Sequence, residues 1–339
     1  MNIIVLIDKF KSTISSIELG KITKSTLEKK GHNVDYFPIS DGGNGFLQTI
    51  MFNKNVKKKY TYVNDALNNK IRALYLMDNQ NVYIEVAKII GINKQNKYDI
   101  FNASTYGVGQ VILDAIKKGG TNFFIGLGGS ITNDGGKGML EALGYHFLKD
   151  KIIDNCKVDL SKIHFNIVSD VTNPLLGKNG ATYTFSKQKG AKNTDFKKLE
   201  KRMESYHYLI KNYLKKDYSN YQGSGAAGGL GYAFISVLNA SYIKGIDYTL
   251  SYLKIDEIIK NYDLIITGEG KVDNQSLNGK IVFEILNRYN KKTIIVCAIN
   301  KIKNQNYEVY SIVNNIANLS QSLNKPKKYF KKLINSIKI

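Results

Sequence analysis

Both ends of the chain follow one pattern: a short, wholly apolar run, then a loop rich in small and polar residues, then an amphipathic helix. Ile3 to Ile7 is such a run. Ser15 or Ser16 can cap a helix that reaches about Lys30 on Ile17, Leu19, Ile22 and Leu27, and Gly31 stops it. Val34 to Phe37 reads as the second strand, ended by Pro38. Near the C-terminus, Leu264 to Thr267 is a strand entering a glycine loop, and Gly279 to Asn287 is a helix. Thr293 to Ala298 and Val309 to Val313 are further strands, and a lysine-rich helix follows from about Pro326. Runs that are apolar on both faces belong to a parallel sheet covered by helices on both sides. Two early and three late strands make five, the count of a flavodoxin-like sheet. The predicted class is α/β, with a discontinuous flavodoxin-like parallel-sheet domain from residues 1–45 and 261–339. A second, mixed α/β domain, residues 46–260, is inserted into it.

The inserted segment mixes patterns. Residues 56–63, 70–77 and 80–86 read as an antiparallel set, with clear alternation from Asn81 to Val86. Ser104 can cap a helix to Lys118. Asn122 to Gly126 and Ile163 to Val168 read as strands, Asp134 to Leu143 as a helix, and Asp195 to Lys216 as a charged helix.

Four glycine-rich loops carry acidic or hydroxyl side chains: Asp41 to Gly45, Gly126 to Gly136, Gly223 to Gly229 and Thr267 to Asp273. Glycine lets backbone N–H groups approach an anion. Carboxylates beside that anion require a hard cation to bridge them, and phosphate with Mg²⁺ satisfies both halves of the pattern. In the second loop Gly128 and Gly129 free the backbone, and Ser130 and Thr132 offer hydroxyls. Asp134 there serves equally as a helix cap. Gly223 to Gly228 matches G-x-G-x-x-G, but no buried strand precedes it, so the dinucleotide fingerprint fails. The same residues suit a phosphate-facing loop or a tightly packed helix start. Asp8, Asp41, Asp134, Asp170 and Asp273 each follow a predicted strand or sit in a glycine loop, at the carboxyl edge where ligands bind in open α/β sheets. No G-x-x-x-x-G-K-[ST] occurs, which excludes a P-loop kinase. His32, His146, His164 and His207 stand in no metalloprotease or triad context.

A formal net charge of +21 raises a nucleic-acid reading. Arginine occurs only at 72, 202 and 288, and the lysines are scattered along the chain. That pattern reads as solvated lysine rather than a specific nucleic-acid site. Apolar runs are too short to span a bilayer, the N-terminus carries no signal pattern, and Cys156 and Cys297 form no CxxC. A cytoplasmic protein with no membrane partner is expected.

In order along the chain, the loops resemble the type-1 glycerate kinase family. Asp8-Lys9-Phe10-Lys11 resembles that family's D-S-F-K, and Asp41-Gly42-Gly43-Asn44-Gly45 its D-G-G-E-G. Ser104 to Gly109 resembles T/S-x-Y-G-x-G, and Gly126 to Gly136 is nearly letter for letter G-L-G-G-S-A-T-N-D-G-G. Asp170 to Leu175 resembles D-V-x-N-P-L, and the stretches 225–231 and 268–277 complete the series. Lys9 stands where the family pattern has Ser, and Asn44 where it has Glu.

The resemblance implies phosphorylation of D-glycerate by ATP with Mg²⁺, to a 2- or 3-phosphoglycerate, with the substrate as the principal partner and a homodimer allowed. The catalytic candidates are Asp170, Asp273 and Lys11, with Asp170 favoured as base and Asp273 serving Mg²⁺. Gly128, Gly129, Ser130, Thr132, Gly225, Gly228, Gly268 and Gly270 are the nucleotide-phosphate candidates. Asp8, Asp41 and Asn133 are assigned to substrate, and Asp134 and Glu269 to metal. Asp8, Lys11, Asp41, Ser130, Asp134, Asp170, Glu269 and Asp273 are expected to converge on one cleft between the two domains. An NAD(P)-dependent dehydrogenase of a small hydroxy acid and a basic nucleic-acid-binding protein are the alternatives.

Overall fold

A computed structural model describes residues 1–10, 13–52, 55–92, 98–273, 281–302, 307–313 and 315–339. In chain order the strands are β1 (Asn2–Ile7), β2 (Asn33–Tyr36), β3 (Lys57–Asn64), β4 (Lys70–Asp78), β5 (Asn81–Glu85), β6 (Asn122–Gly126), β7 (Tyr145–Phe147), β8 (Ile152–Asp154), β9 (His164–Val168), β10 (Ser241–Ile243), β11 (Leu264–Val272), β12 (Thr293–Asn300) and β13 (Glu308–Ser311). The helices used below are α1 (Ser16–Leu27), α2 (Tyr106–Lys117), α3 (Lys137–Leu143), α4 (Phe196–Leu214), α5 (Ala226–Ser236), α6 (Ile281–Arg288) and α7 (Pro326–Ser336). Two compact units result. Met1–Asp41, Gln48–Lys54 and Ile246–Ile339 form the first, and Gly42–Leu47 with Asn55–Gly245 form the second.

The first unit is a parallel sheet in the order β13-β12-β11-β1-β2. Read from β2, this is the flavodoxin-like order 2-1-3-4-5. Ile3, Val5 and Ile7 of β1 pack with Leu19 of α1 and Phe330 of α7, while Ile4 and Leu6 pack on the opposite face with Ile265 and with Ile285 of α6. Burial on both faces is why β1 reads as an unbroken apolar run. A capping box opens α1: the Ser15 hydroxyl accepts from Glu18 N–H, and the Glu18 carboxylate accepts from Ser15 N–H. Gly31, at φ 87°, ends the 3₁₀ turn that follows.

One expectation fails here. The segment from Thr267 to Asp273 is not a glycine loop, because β11 continues to Val272, with Glu269 opposite Cys297 and Lys271 opposite Ile299 in β12. A Cβ at residue 268 would overlap the Val296 carbonyl, so Gly268 permits close strand approach instead of a turn. The expected helix start at Gly279 lies outside the described residues, and α6 is described from Ile281.

The second unit holds a mixed sheet in the order β10-β9-β6-β5-β4-β3. β3, β4 and β5 are antiparallel as expected, whereas β5, β6, β9 and β10 run parallel. Phe123, Ile125, Phe165 and Ile167 of the central strands are buried with Val108 and Ile112 of α2, Leu140 of α3 and Phe234 of α5. The β7–β8 hairpin and β10, three residues per strand, are too short to alternate visibly. Helix α3 begins at Lys137 and not at Asp134, because Gly135 and Gly136 are left-handed at φ 69° and 82°. Among the described residues no helix is long and apolar enough to cross a membrane.

Candidate active site

In the first unit the sheet's topological switch point falls between β1 and β11, and ligands of such sheets bind outside the carboxyl ends of the strands there. Asp8 follows β1, and its N–H donates to the Gly268 carbonyl at 2.9 Å, which fixes its backbone against β11. The Lys9 ammonium donates to Asp41 Oδ1 at 3.1 Å and to Asp8 Oδ1 at 3.4 Å. Asp8 is the more buried acid, its side chain 15% exposed against 43% for Asp41. Burial pushes the Asp8 carboxyl up to about 7; Lys9 opposes that shift, and Asp41 and Glu269 reinforce it. Burial alone would lower the Lys9 ammonium, but Asp41 and then Asp8 outweigh it and hold it above the ordinary lysine range. Further along the edge, Lys271 Nζ lies 2.6 Å from Asp273 Oδ2. Lys11 lies outside the described residues. Asp8 therefore interacts with Asp41, Glu269 and Lys9, and the Lys9 ammonium bridges Asp8 and Asp41. The sequence marks Lys9 only as a departure from a motif.

Three of the four glycine-rich segments pack together in the second unit. Gly129 O accepts from Ile92 N–H at 2.9 Å, and Ile131 N–H donates to Ile90 O at 3.0 Å, so the loop after β6 is pinned along its length. A Cβ on Gly128 would lie 2.7 Å from Gly43 Cα, and one on Gly129, at φ 71°, would lie 3.1 Å from Asn44 Oδ1. That loop also meets the 223–229 segment, where Gly135 N–H donates to Gly228 O at 3.1 Å. Ala227, Gly228 and Gly229 are left-handed in succession, at φ 51°, 72° and 86°, inside the first turn of α5. For Ala227 this costs about 1–2 kcal/mol, and such strain gathers at functional sites. Gly225 donates its N–H to Asn173 O at 2.9 Å.

The polar side chains of these loops differ from expectation. Ser130 and Thr132 are buried, at 2% and 0% exposure, and Thr132 Oγ1 donates to Ala227 O at 3.4 Å instead of being presented outward. Asp134 accepts four hydrogen bonds: from Thr105 N–H and Oγ1 at 2.8 Å each, and from Gly136 and Gly138 N–H at 3.2 Å each. It clamps the starts of α2 and α3, the role of a cap. Gly268 and Gly270, expected to hold phosphate, lie within β11. Asn133 is 2% exposed, and among the described residues its Oδ1 has no hydrogen-bond donor. Asp170 Oδ1 accepts from Gly245 N–H at 2.8 Å.

A side chain that sequence reasoning passed over sits beneath these loops. Lys189 is 3% exposed; its ammonium donates to Thr132 O at 2.6 Å and to Ser130 Oγ at 3.4 Å. Burial pulls it down to about 7, with Asp134 acting in the other direction. In the sequence it is one of several lysines in Lys187-Gln188-Lys189-Gly190-Ala191-Lys192, with nothing to separate it from surface decoration.

Among the described residues no cluster of three or more His, Cys, Asp or Glu is placed to hold a metal. In phosphate-bearing sites Mg²⁺ takes one or two carboxylates, with the remaining positions filled by water or phosphate oxygen. Glu269, in the acidic cluster, suits that arrangement, whereas Asp134, already holding four donors, does not.

The sequence model of the glycerate kinase family matches residues 3–338. The chain belongs to the glycerate kinase family. It is 34% identical over 330 residues to a glycerate kinase of Bacillus cereus, covering 91% of this chain and 87% of that one. It is 32% identical over 320 residues to a glycerate 2-kinase of Escherichia coli, covering 87% and 84%. A crystal structure assigned to glycerate kinase 2 of Salmonella typhimurium LT2 superposes with a TM-score of 0.80 at 29% identity, over 99% of this chain and 96% of that one. The mixed α/β fold, with its parallel sheet and second mixed sheet, is thus the fold of the family, and the enzyme is a phosphotransferase. The dehydrogenase and nucleic-acid readings have no support from these relatives.

Proposed function

We propose that the chain transfers the γ-phosphoryl group of ATP to D-glycerate in the cytoplasm, with Mg²⁺ as the metal. The observation that carries this reading is the Asp8–Lys9–Asp41 cluster at the switch point of a flavodoxin-like sheet, in a chain matched to the family from end to end. Phosphoryl transfer demands positioning and charge compensation more than covalent chemistry. Asp41 is the more exposed acid and lies nearer Lys9, whose ammonium it binds. Asp8 is left as the carboxylate able to orient the glycerate hydroxyl and take its proton, with a pKa of about 7 near the working pH. Asp170 and Asp273 are the next candidates for that role. Mg²⁺ neutralises charge on the phosphates when bound, and Glu269 is the side chain we assign to it. Gly128 and Gly129, less buried than Gly225 and Gly228, carry no side chain of their own and suit phosphate oxygens, whereas the Gly225 N–H is already bound to Asn173 O. The open acceptor of Asn133 suits a ligand hydroxyl. Asp134 we assign to structure. The 32% identical relative named glycerate 2-kinase makes 2-phosphoglycerate the product we expect.

The test is an ADP-release assay with D-glycerate, ATP and Mg²⁺, followed by ³¹P NMR of the product. Stoichiometric ADP and a single 2-phosphoglycerate signal are expected. A folded protein that releases no glycerate-dependent ADP would overturn the function, and a 3-phosphoglycerate signal would overturn the regiochemistry alone.

A further inference from the structure

Lys189 is a buried cation with fewer hydrogen-bond partners than donors. Its ammonium carries three donors and is buried at 3% exposure, yet its hydrogen bonds are one at 2.6 Å to Thr132 O and one at 3.4 Å to Ser130 Oγ. Among the described residues it forms no ion pair. A buried charge without a counter-charge is costly and persists where something else requires it. Two glycine-rich loops close around it. A Cβ on Gly228, a left-handed residue at φ 72°, would lie 2.9 Å from Lys189 Nζ and would overlap Thr132 O. Glycine at 228 thus keeps the backbone of one loop beside the ammonium, while Ser130 and Thr132 bring the other to it.

We propose that Lys189 is the fixed cation to which a phosphate group binds at the paired 128–132 and 226–229 loops. The proposal rests on the kinase reading and adds a positioning residue to it. The bound phosphate belongs to the nucleotide or to phosphoglycerate, and the two sources are separable by experiment. The loops supply backbone N–H groups, and Lys189 supplies the full positive charge that the inward-turned hydroxyls of Ser130 and Thr132 cannot. The depressed pKa of about 7 agrees, because it reports an ammonium short of counter-charge; Asp134 is the charged group that acts on it.

The experiment measures binding of Mg·ADP, 2-phosphoglycerate and adenosine to the full-length wild type and to Lys189→Met, Lys189→Gln and Lys189→Arg. Removing a buried, uncompensated charge should leave the melting temperature of the ligand-free Met and Gln variants unchanged or higher. Their affinity for the phosphate-bearing ligand should fall about 10- to 100-fold, the worth of one charge-assisted hydrogen bond. Adenosine binding should not change, and the Arg variant should keep more affinity than Met or Gln. A loss confined to Mg·ADP assigns the site to the nucleotide, and a loss confined to 2-phosphoglycerate assigns it to the product. Met and Gln affinities within about twofold of wild type for both ligands overturn the proposal, as does binding that follows melting temperature across the three variants instead of charge. In the wild type, the Lys189 amine resonance, recognisable by its titration near neutrality, should move to a higher midpoint with saturating ligand. An unmoved midpoint overturns the proposal without any variant. Absence of glycerate-dependent ADP release by the wild type is a separate result, and it would sink the kinase reading itself.

Discussion

At the scale of one residue, the Asp8 carboxyl is the group through which the proposed site would respond to pH. Its folded pKa is raised from 3.8 to about 7, chiefly by burial. Proton binding to Asp8 therefore favours the folded state fully below 3.8, and that contribution is lost as pH rises through about 7. Catalysis has the opposite demand, since a base must be ionised to accept a proton. The wild-type kcat/KM should thus show an acidic limb with an apparent pKa near 7, a value that belongs to the coupled Asp8–Lys9–Asp41 group. Asp8→Asn should lower kcat by about 10²- to 10⁴-fold and remove the limb, and its denaturation midpoint should vary less between pH 4 and 7 than the wild type's. An Asp8→Asn enzyme with near-normal kcat moves the base to Asp170 or Asp273. The same two acids give a direct comparison: loss of a metal carboxylate is partly rescued by added Mg²⁺, whereas loss of the base is not.

At the scale of elements, legibility followed the strength of local signals. The capping box at Ser15 and Glu18, the stop at Gly31 and the apolar runs of β1 and β12 are local, and the boundaries read from them lie within a few residues of those observed. Where glycine serves packing, the signal misleads. Gly268 reads as a turn and instead permits close approach of β12, and β11 extends five residues beyond the expected Thr267, to Val272. Ser130, Thr132 and Asp134 read as outward ligands because hydroxyls and acids beside glycine usually suit anions and metals. Their partners, Ala227, Lys189 and Thr105, are remote in sequence and appear only after folding. Lys189 was invisible because one lysine in a lysine-rich chain carries no mark of burial. The clamp role of Asp134 can be measured. Asp134→Ala strips the acceptor from four donors at the starts of α2 and α3 and should destabilise the protein by about 3–5 kcal/mol, the cost of breaking a buried charged network. Urea denaturation should show this as a lowered midpoint. An unchanged midpoint together with a raised Mg²⁺ requirement would return Asp134 to the metal.

At the scale of the whole molecule, the net charge of +21 needs a physical account that the active site does not provide. The cations assigned above to the proposed sites are few: Lys9 between two acids and Lys189 beneath the loops. Many others are exposed, as are Lys57 and Lys58 on β3 and Lys327 and Lys328 at the start of α7. Like charges spread over a compact body repel one another and destabilise it. That repulsion reaches about 30 Å at 0.01 M salt and about 8 Å at 0.15 M. The ligand-free protein should therefore melt at a higher temperature in 150 mM than in 10 mM KCl at pH 7, by a few degrees. The difference should vanish near the isoelectric pH of 9.6, where the repulsion is gone. Competing surface ion pairs, such as Arg288 with Asp256 and Lys118 with Asp114, weaken with salt and act in the opposite direction, but each is worth only about 0–1 kcal/mol. A melting temperature that falls with salt at pH 7 would mean that these pairs outweigh the repulsion and that the lysines are organised rather than scattered. In that case, binding to a random oligonucleotide with a steep dependence on log salt is the measurement to make, because a built polyanion site shows such a slope and dispersed charge shows only weak, sequence-blind attachment.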